Sequence, residues 1–418
     1  MGLQGKLPAA QTDTCTFINI MQQSDNLAVV AFNDNASRIF PTATAPPLAG
    51  ITGQATKDAG CAAVLALAAG GNTNITAALV MAQQLLGSAA VPRGIVLLSD
   101  GMWNVGGDPT HGLNTSVPVY TVALGQSFNP GFLQAIATQT GGTYNYAPDA
   151  FTLADIYNDI ASEAHVAALV AQQQRTVSQY NFVTTPVPVA AGNDAGCFTC
   201  NWLNTAVAYT PGTPVGSQLT VRLVDPSNQP WAGAPAGTGP GFVAFQVPNP
   251  AAGQWQVELW TSAPGGVQAT LAGFEPDSST WLDLAVDSAR GTYRSALIAD
   301  GRPVTDARVS AVVHRPLRSL EESLRMHKSD LERIEPDESA VADGVPEELA
   351  RLAALRASLS VGAEDPHPYV FEPLPPPTFD GEAHTGVIDV PHDGEYTVHV
   401  VAYGGGARRQ RRGSFVAS

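Results

Sequence analysis

Hydrophobic positions divide the chain into two parts with different periodicity. Over residues 1 to about 175, apolar residues at helical spacing alternate with short continuous apolar runs. This pattern predicts helices over 7–23, 55–69, 75–86, 131–138 and about 153–174, and strands over 26–32, 37–40, 94–98, 117–124 and 142–146. Strands separated by helices favour a doubly wound α/β domain, with a mostly parallel sheet covered by helices on both faces.

From about residue 176 the helical spacing gives way to short strands separated by proline and glycine. Predicted strands lie at 206–209, 219–224, 242–247, 255–260, 267–271, 282–286, 293–298, 308–313, 385–390 and 396–403. Strands at this spacing are typical of antiparallel, immunoglobulin-like β-sandwiches. We therefore predict three domains, an α/β domain at 1–175 and β-sandwiches at 176–278 and 279–418.

A charged segment at about 315–375 interrupts the second predicted sandwich. Its leucines recur at helical spacing on both sides of an acidic, proline-containing stretch at 335–347. Two helices fit this pattern best, and we interpret them as a hairpin that covers one face of the sandwich. An element that docks a partner is the alternative.

Composition narrows the range of partners. The 418 residues carry a formal net charge of −16, which argues against nucleic acid or an anionic membrane surface as a partner. No apolar run reaches the ~18 residues expected of a membrane-spanning helix.

Cys15 and Cys61 fall in apolar helical patterns and are expected in the core. For Cys197-Phe-Thr-Cys200 we predict a local disulfide in an exported protein, with free thiols as the alternative.

Two short motifs carry the candidate chemistry. In Val96-Leu-Leu-Ser-Asp100-Gly, a carboxylate follows a buried strand; in Gly70-Gly-Asn-Thr73-Asn-Ile, a hydroxyl precedes a helix. Ligands of an open α/β sheet gather at the carboxyl ends of its strands. Hydroxyl and carboxylate oxygens are ligands that Mg²⁺ prefers. Thr73 and Asp100 are therefore candidate metal ligands; a helix N-cap for Thr73 and a turn residue for Asp100 are the alternatives.

Together with Val119-Tyr-Thr-Val-Ala-Leu-Gly125 and Thr140-Gly-Gly-Thr-Tyr, these motifs resemble the von Willebrand factor A domain. The resemblance covers about the first 165 residues. It implies a divalent cation at a metal-ion-dependent adhesion site, with a partner's carboxylate completing the coordination. Thr73 matches the family's threonine and Asp100 its aspartate, whereas the family's Asp-x-Ser-x-Ser element has no match.

The resemblance also implies that the first strand of the domain and its serines are missing. A truncated or mis-started chain and a natural loss of the site both remain open. Backbone groups beside an absent central strand lose hydrogen bonds worth about 1–3 kcal/mol each. We therefore expect a poorly stable first domain unless its strands re-pair. Two oxygen ligands leave a cation mostly hydrated, so Mg²⁺, Mn²⁺ or Ca²⁺ should bind only weakly.

No catalytic constellation is evident: HExxH, GxSxG and GxxxxGK motifs are all absent from the sequence. His384, His392 and His399 lie in the last predicted strands, but the odd offset between the latter two argues against a metal site. Arg408-Arg-Gln-Arg-Arg412 is interpreted as a solvated hairpin turn.

The sequence therefore predicts a non-enzymatic function, which is cation-assisted adhesion or protein–protein binding outside the cell or at its surface. The expected partner is a protein that presents a carboxylate. The domain order also resembles that of calcium-activated chloride channel regulators and related bacterial surface proteins.

Two alternative functions remain: the non-catalytic portion of a larger secreted hydrolase, and a structural spacer whose metal site no longer binds a cation. No signal peptide precedes the first helix, which we interpret as lost with the N-terminus.

Overall fold

The computed structural model describes residues 6–23, 25–42, 44–87, 93–100, 103–124, 131–147, 150–202, 204–276, 278–336, 346–358 and 365–417. Its helices are α1 (Lys6–Ile20), α2 (Gln54–Leu65), α3 (Ile75–Leu86), α4 (Gly131–Thr140), α5 (Ala150–Glu163), α6 (Leu320–Met326), α7 (Lys328–Leu331) and α8 (Glu347–Ser358). Within these ranges, none of the helices is long and apolar enough to cross a membrane.

The first part of the chain has helices between its strands, as expected. Its strands are β1 (Asn26–Leu27), β2 (Val29–Phe32), β3 (Ala36–Phe40), β4 (Ala49–Gly50), β5 (Ile95–Ser99), β6 (Val119–Leu124) and β7 (Tyr144–Ala147). β5, β6 and β7 form a parallel sheet in that order. Every residue of β6 is buried, as expected for a central strand with helices on both faces. The predicted α/β architecture is confirmed.

The strands of this α/β part do not form one continuous sheet. β2 pairs with β3 in a separate two-stranded sheet, and no pairing between β2 and β5 occurs among the described strands. β1 pairs only with β4. The strands have therefore not re-paired across the position where the family resemblance implied a missing first strand.

The second part is a β-sandwich. Its strands are β8 (Ala168–Val177), β9 (Phe182–Val189), β10 (Ala195–Trp202), β11 (Ala208–Tyr209), β12 (Gln218–Val224), β13 (Gly237–Gly239), β14 (Phe242–Pro248), β15 (Gly253–Thr261) and β16 (Val267–Glu275). One sheet has the order β13-β14-β10-β16-β8 and the other β11-β12-β15-β9. Buried apolar residues of both sheets, among them Phe198, Leu219 and Trp255, form one shared core.

The helix predicted at 153–174 is wrong in its second half, where the chain forms a strand. α5 ends at Glu163, and two residues later His165 adopts a left-handed conformation with φ of 57°. The N–H of Val166 donates to the carbonyl of Ala161 at 2.8 Å, which closes the helix end. β8 then pairs along its length with β16. The strand-rich part therefore begins at Ala168, before the predicted boundary at residue 175.

The third part is also a β-sandwich. Its strands are β17 (Thr280–Asp287), β18 (Thr292–Ala299), β19 (Arg302–Pro303), β20 (Arg308–Pro316), β21 (Tyr369–Pro373), β22 (Thr378–Phe379), β23 (His384–Val387), β24 (Gly394–Gly404) and β25 (Ala407–Ala417). The sheets have the orders β17-β18-β23-β22, with β19 beside β18, and β21-β20-β24-β25. Helices α6, α7 and α8 lie between β20 and β21, so the helical insertion is confirmed.

The predicted disulfide between Cys197 and Cys200 is wrong. Both cysteines lie on β10, three residues apart, so their side chains leave opposite faces of the sheet. Cys197 packs under α1 and α5, and Cys200 packs inside the sandwich core. Three residues of extended chain also separate their Cα atoms by roughly 10 Å, beyond the ~7 Å limit for a disulfide.

The arginine cluster at 408–412 is not a solvated turn, because it lies within β25. Arg409 and Arg412 are 2% and 5% exposed. Arg409 contacts the carboxylate of Glu275 on β16 at 2.5 Å and donates to the carbonyl of Thr280 at 2.7 Å. Glu275 is itself buried, so this ion pair joins the two sandwiches without contact with solvent.

The same strand is joined to the α/β part by two further arginines. Arg411 pairs with Glu163 and Arg412 with Asp159, and both acids lie on α5. Asp155, one helical turn before Asp159, lies 3.9 Å from Arg412. The acids are nearly buried, so each arginine also compensates the cost of removing its partner from water. β25 therefore links all three parts of the molecule.

Removal of one side of the buried pair should be strongly destabilising. We expect Arg409→Met to lower the free energy of unfolding by about 3–5 kcal/mol, because it leaves the Glu275 carboxylate buried and uncompensated. The double variant Arg409→Met with Glu275→Gln should recover most of that loss. Urea titration of both variants and of the exposed-site control Arg290→Met measures the difference. Equal effects of Arg409→Met and Arg290→Met would contradict this assignment.

Asp159 should make stability depend on pH. Burial raises its pKa to about 7, while the neighbouring Arg412 acts in the opposite direction. Since an unfolded aspartate has a pKa of about 3.9, the folded chain binds this proton more tightly, and stability falls as pH rises from about 4 to about 7. In Asp159→Asn, the free energy of unfolding should fall less over this interval than in the parent chain. Glu382→Gln, at an exposed site, is the control; unchanged pH dependence in Asp159→Asn contradicts the prediction.

Candidate functional site

The two predicted metal ligands lie in loops that the structure joins. The N–H of Thr73 donates to the Oδ1 atom of Asn104 at 2.8 Å, and the N–H of Asn104 donates to the carbonyl of Thr73 at 3.2 Å. Asn104 follows Asp100 by four residues, just beyond the carboxyl end of β5. Thr73 and Asp100 line the same cavity. The structure thus brings the Thr73 loop and the Asp100 loop to one edge of the sheet.

A third loop, the turn between β2 and β3, supports the Thr73 loop. The N–H of Asn74 donates to the carbonyl of Asn33 at 2.9 Å, and its amide donates to the carbonyl of Asp34 at 3.0 Å. Gly71 adopts φ of 79°, and a Cβ there would lie 2.7 Å from the Asp34 carboxylate. This close approach explains why the turn before Thr73 contains glycine.

The N-cap of α3 is Asn74 and not Thr73. The Oδ1 atom of Asn74 accepts a hydrogen bond from the N–H of Ala77 at 3.0 Å. The alternative interpretation of Thr73 as a helix cap is therefore wrong. Its side chain is half-buried, and its hydroxyl has no hydrogen-bond partner among the residues that the structure describes. Helix capping therefore does not account for the Thr73 side chain. Its position at the edge of the sheet is compatible with a role as a metal ligand.

Asp100 lies beside a cation that the protein itself supplies. The Nζ atom of Lys6, the first residue of α1, is 4.0 Å from the Asp100 carboxylate. Both side chains are about one-fifth exposed, at 20% and 21%. The sequence gives no signal that brings Lys6 to this site, because Lys6 and Asp100 are far apart along the chain. Any divalent cation at Asp100 would have to displace the lysine or share the carboxylate with it.

The residues present fit a divalent cation only in part. Thr73 and Asp100 supply one hydroxyl and one carboxylate, whereas Mg²⁺ requires about six oxygen ligands. No group of three or more His, Cys, Asp or Glu residues suited to a metal occurs in the described part of the chain. Water or a partner would have to complete the shell.

Asn104 and Trp103 follow Asp100 in the same loop. Trp103 is half-buried and packs against the core between the sheet and α3, so burial and not exposure accounts for this aromatic ring. Asn104, by contrast, fixes the position of Thr73. The sequence gives no signal for the hydrogen bond between Asn104 and Thr73, since the two partners are 31 residues apart.

With this geometry established, sequence comparison is decisive for the first part of the chain. The sequence profile of the von Willebrand factor type A domain matches residues 12–159. These residues form a von Willebrand factor type A domain. The type A domain is followed by the two strand-rich parts, and its presence supports a general role in protein binding or adhesion.

Solved structures with detectable similarity include two from this family. A von Willebrand factor type A protein from Catenulispora acidiphila is 19% identical, over 71% of this chain and 58% of that chain, with a TM-score of 0.36. The ArnB paralog VWA2 from Sulfolobus acidocaldarius is 13% identical, over 71% and 57%, with a TM-score of 0.32. Our chain therefore spans less than two thirds of either. Comparison with curated protein sequences gave no match.

Two neighbouring substitutions separate capping from ligand binding. We expect Asn74→Ala to lower the free energy of unfolding by about 1 kcal/mol, because it removes the N-cap of α3. Thr73→Ala should change stability by less than half of that. Urea titration in the presence of a chelator, so that no divalent cation contributes, makes the comparison. A larger loss from Thr73→Ala than from Asn74→Ala would contradict the assignment of the cap.

Proposed function

We propose that this chain is a non-enzymatic protein-binding module that acts outside the cytoplasm, and that its type A domain carries the binding surface. The observation that carries the proposal is the convergence of three loops around Thr73 and Asp100 at the carboxyl edge of the sheet. Ligands of open α/β sheets bind at this edge. The two sandwiches, joined to the domain by buried arginines, form a firm support behind that surface.

The second part of the proposal is that this binding surface holds a divalent cation. Mg²⁺, Mn²⁺ or Ca²⁺ would be held by the Thr73 hydroxyl and the Asp100 carboxylate, with the carboxylate of a protein partner as a further ligand. The cation would supply an electrostatic contact between two negatively charged groups. Because the chain itself offers only two ligands and places Lys6 at 4.0 Å from Asp100, the cation should bind weakly until the partner is present.

The first test is a Mn²⁺ titration of the full chain, with free Mn²⁺ measured by electron paramagnetic resonance. We expect a dissociation constant no tighter than about 10⁻⁴ M, the range of weak extracellular calcium modules. Thr73→Ala and Asp100→Asn should each weaken binding, because each removes an oxygen ligand. Lys6→Met should strengthen it, because the variant removes a competing positive charge.

The control variant is Asp225→Asn, at a turn of the first sandwich that does not line the cavity of Thr73 and Asp100. Tight Mn²⁺ binding that survives both Thr73→Ala and Asp100→Asn would overturn the cation assignment. So would a complete absence of binding in the parent chain and in Lys6→Met. A Gly-Gly-Asp-Gly-Gly peptide should tighten Mn²⁺ binding, whereas its asparagine counterpart should not; equal effects would refute the role of a partner's carboxylate.

A further inference from the structure

Cys15 of α1 and Cys61 of α2 face each other where the two helices meet. The Sγ atom of Cys15 lies 3.7 Å from the carbonyl oxygen of Cys61, and the Sγ atom of Cys61 lies 3.6 Å from the carbonyl oxygen of Cys15. The amide of Asn19, one helical turn after Cys15, contacts the Cys61 sulfur at 3.7 Å. Because each sulfur reaches the backbone of the other residue, both thiols occupy the same space between the helices.

The two helices approach each other closely at this point. A Cβ on Gly60, the neighbour of Cys61, would lie 3.5 Å from Cδ1 of Ile18 on α1 and 3.3 Å from Cδ2 of Leu27. Cys15, Ile18 and Cys61 belong to one buried cluster. A disulfide needs Cα atoms about 4.4–6.8 Å apart and side chains directed at each other. A glycine at the contact and reciprocal cysteine contacts are consistent with that geometry.

We propose that Cys15 and Cys61 form a disulfide when the chain folds in an oxidising environment, and that this bond fixes α1 to α2. The pair takes the place of the Cys197–Cys200 bridge, which the fold excludes. Its cysteines are 46 residues apart along the chain, so the bond restricts the unfolded chain far more than a bridge within one strand would. This inference does not depend on the cation proposed above.

The oxidant is a low-molecular-weight disulfide, for which oxidised glutathione serves as the example. The Cys61 thiol loses its proton to solvent, and its thiolate attacks one sulfur of the glutathione disulfide and releases one glutathione thiolate. The Cys15 thiolate then attacks the Cys61 sulfur of the mixed disulfide and releases the second glutathione. The chain loses two hydrogen atoms in total, and one glutathione disulfide is reduced to two glutathione thiols.

Burial of both thiols places this oxidation during folding. Cys15 is fully buried and Cys61 is 7% exposed. The hydrogen bond with the Cys61 thiol, followed by burial, raises the pKa of the Cys15 thiol well above its usual range. Since the thiolate is the reactive form of cysteine, the reduced chain should exchange slowly once it has folded. The oxidant must therefore be present while α1 and α2 come together.

The bond would act on a helix that also contacts the first sandwich. The hydroxyl of Thr12 on α1 donates to the carbonyl of Pro240 at 2.8 Å. The amide of Asn201 on β10 donates to the carboxylate of Asp13, also at 2.8 Å. A covalent link from α1 to α2 would therefore hold α2 to the helix that lies at the boundary between the type A domain and the sandwich.

The first measurement is oxidative refolding of the full chain. Reduced and denatured protein is diluted into buffer with reduced and oxidised glutathione, and the remaining thiols are blocked with N-ethylmaleimide in denaturant. Peptide mass spectrometry without reduction should find Cys15 linked to Cys61, with Cys197 and Cys200 both alkylated. Four alkylated cysteines, or a dominant link that includes Cys197 or Cys200, would overturn the proposal.

The second measurement compares melting temperatures after refolding with oxidised glutathione and with dithiothreitol. We expect the parent chain to melt at least about 5 °C higher after oxidative refolding. Cys15→Ala and Cys61→Ala should each abolish this difference. Cys200→Ala, the matched control that removes another buried thiol, should keep it. A linked parent chain without the difference, or a difference that survives Cys61→Ala, would contradict the role of the bond.

Discussion

The buried arginines of β25 are the interaction on which the arrangement of the whole molecule depends. Arg409 neutralises Glu275 of the first sandwich, and Arg411 and Arg412 neutralise acids on α5 of the type A domain. A buried ion pair contributes little net stability over an apolar contact, but loss of one partner is costly. The pairs therefore specify one relative placement of the three parts and penalise others.

The strands of the type A domain are divided between two sheets, and the loops of the candidate site connect them. Its parallel half, β5 to β7, is packed between apolar residues of the surrounding helices, and its β2–β3 hairpin is connected to that half through the Thr73 loop. Hydrogen bonds from Asn74 to the hairpin turn, and from Thr73 to Asn104, join the two halves through the Thr73 loop. The candidate site thus also serves as the bridge that connects the two halves.

Sequence patterns were most informative where structure is local. The span predicted for α3, 75–86, is the observed span. The loops of Thr73 and Asp100, which the sequence placed at one edge of the sheet, are joined there by the hydrogen bond from Thr73 to Asn104. The end of α5 was missed since His165, without a glycine, adopts the left-handed conformation there. The burial of Arg409 was missed because its partner Glu275 lies 134 residues away. Lys6 beside Asp100 is likewise a product of tertiary packing alone.

The order of these partners along the chain has a consequence for biosynthesis. Asp159, Glu163 and Glu275 are made long before Arg409, Arg411 and Arg412, so a ribosome releases every acid before any of its arginines. During that interval the acids must remain hydrated or protonated, and the surfaces that bear them cannot close. The ion pairs that join α5 and β16 to β25 therefore form only after β25 has been synthesised. A nascent chain stalled before residue 407 would expose an acidic surface that the finished protein conceals.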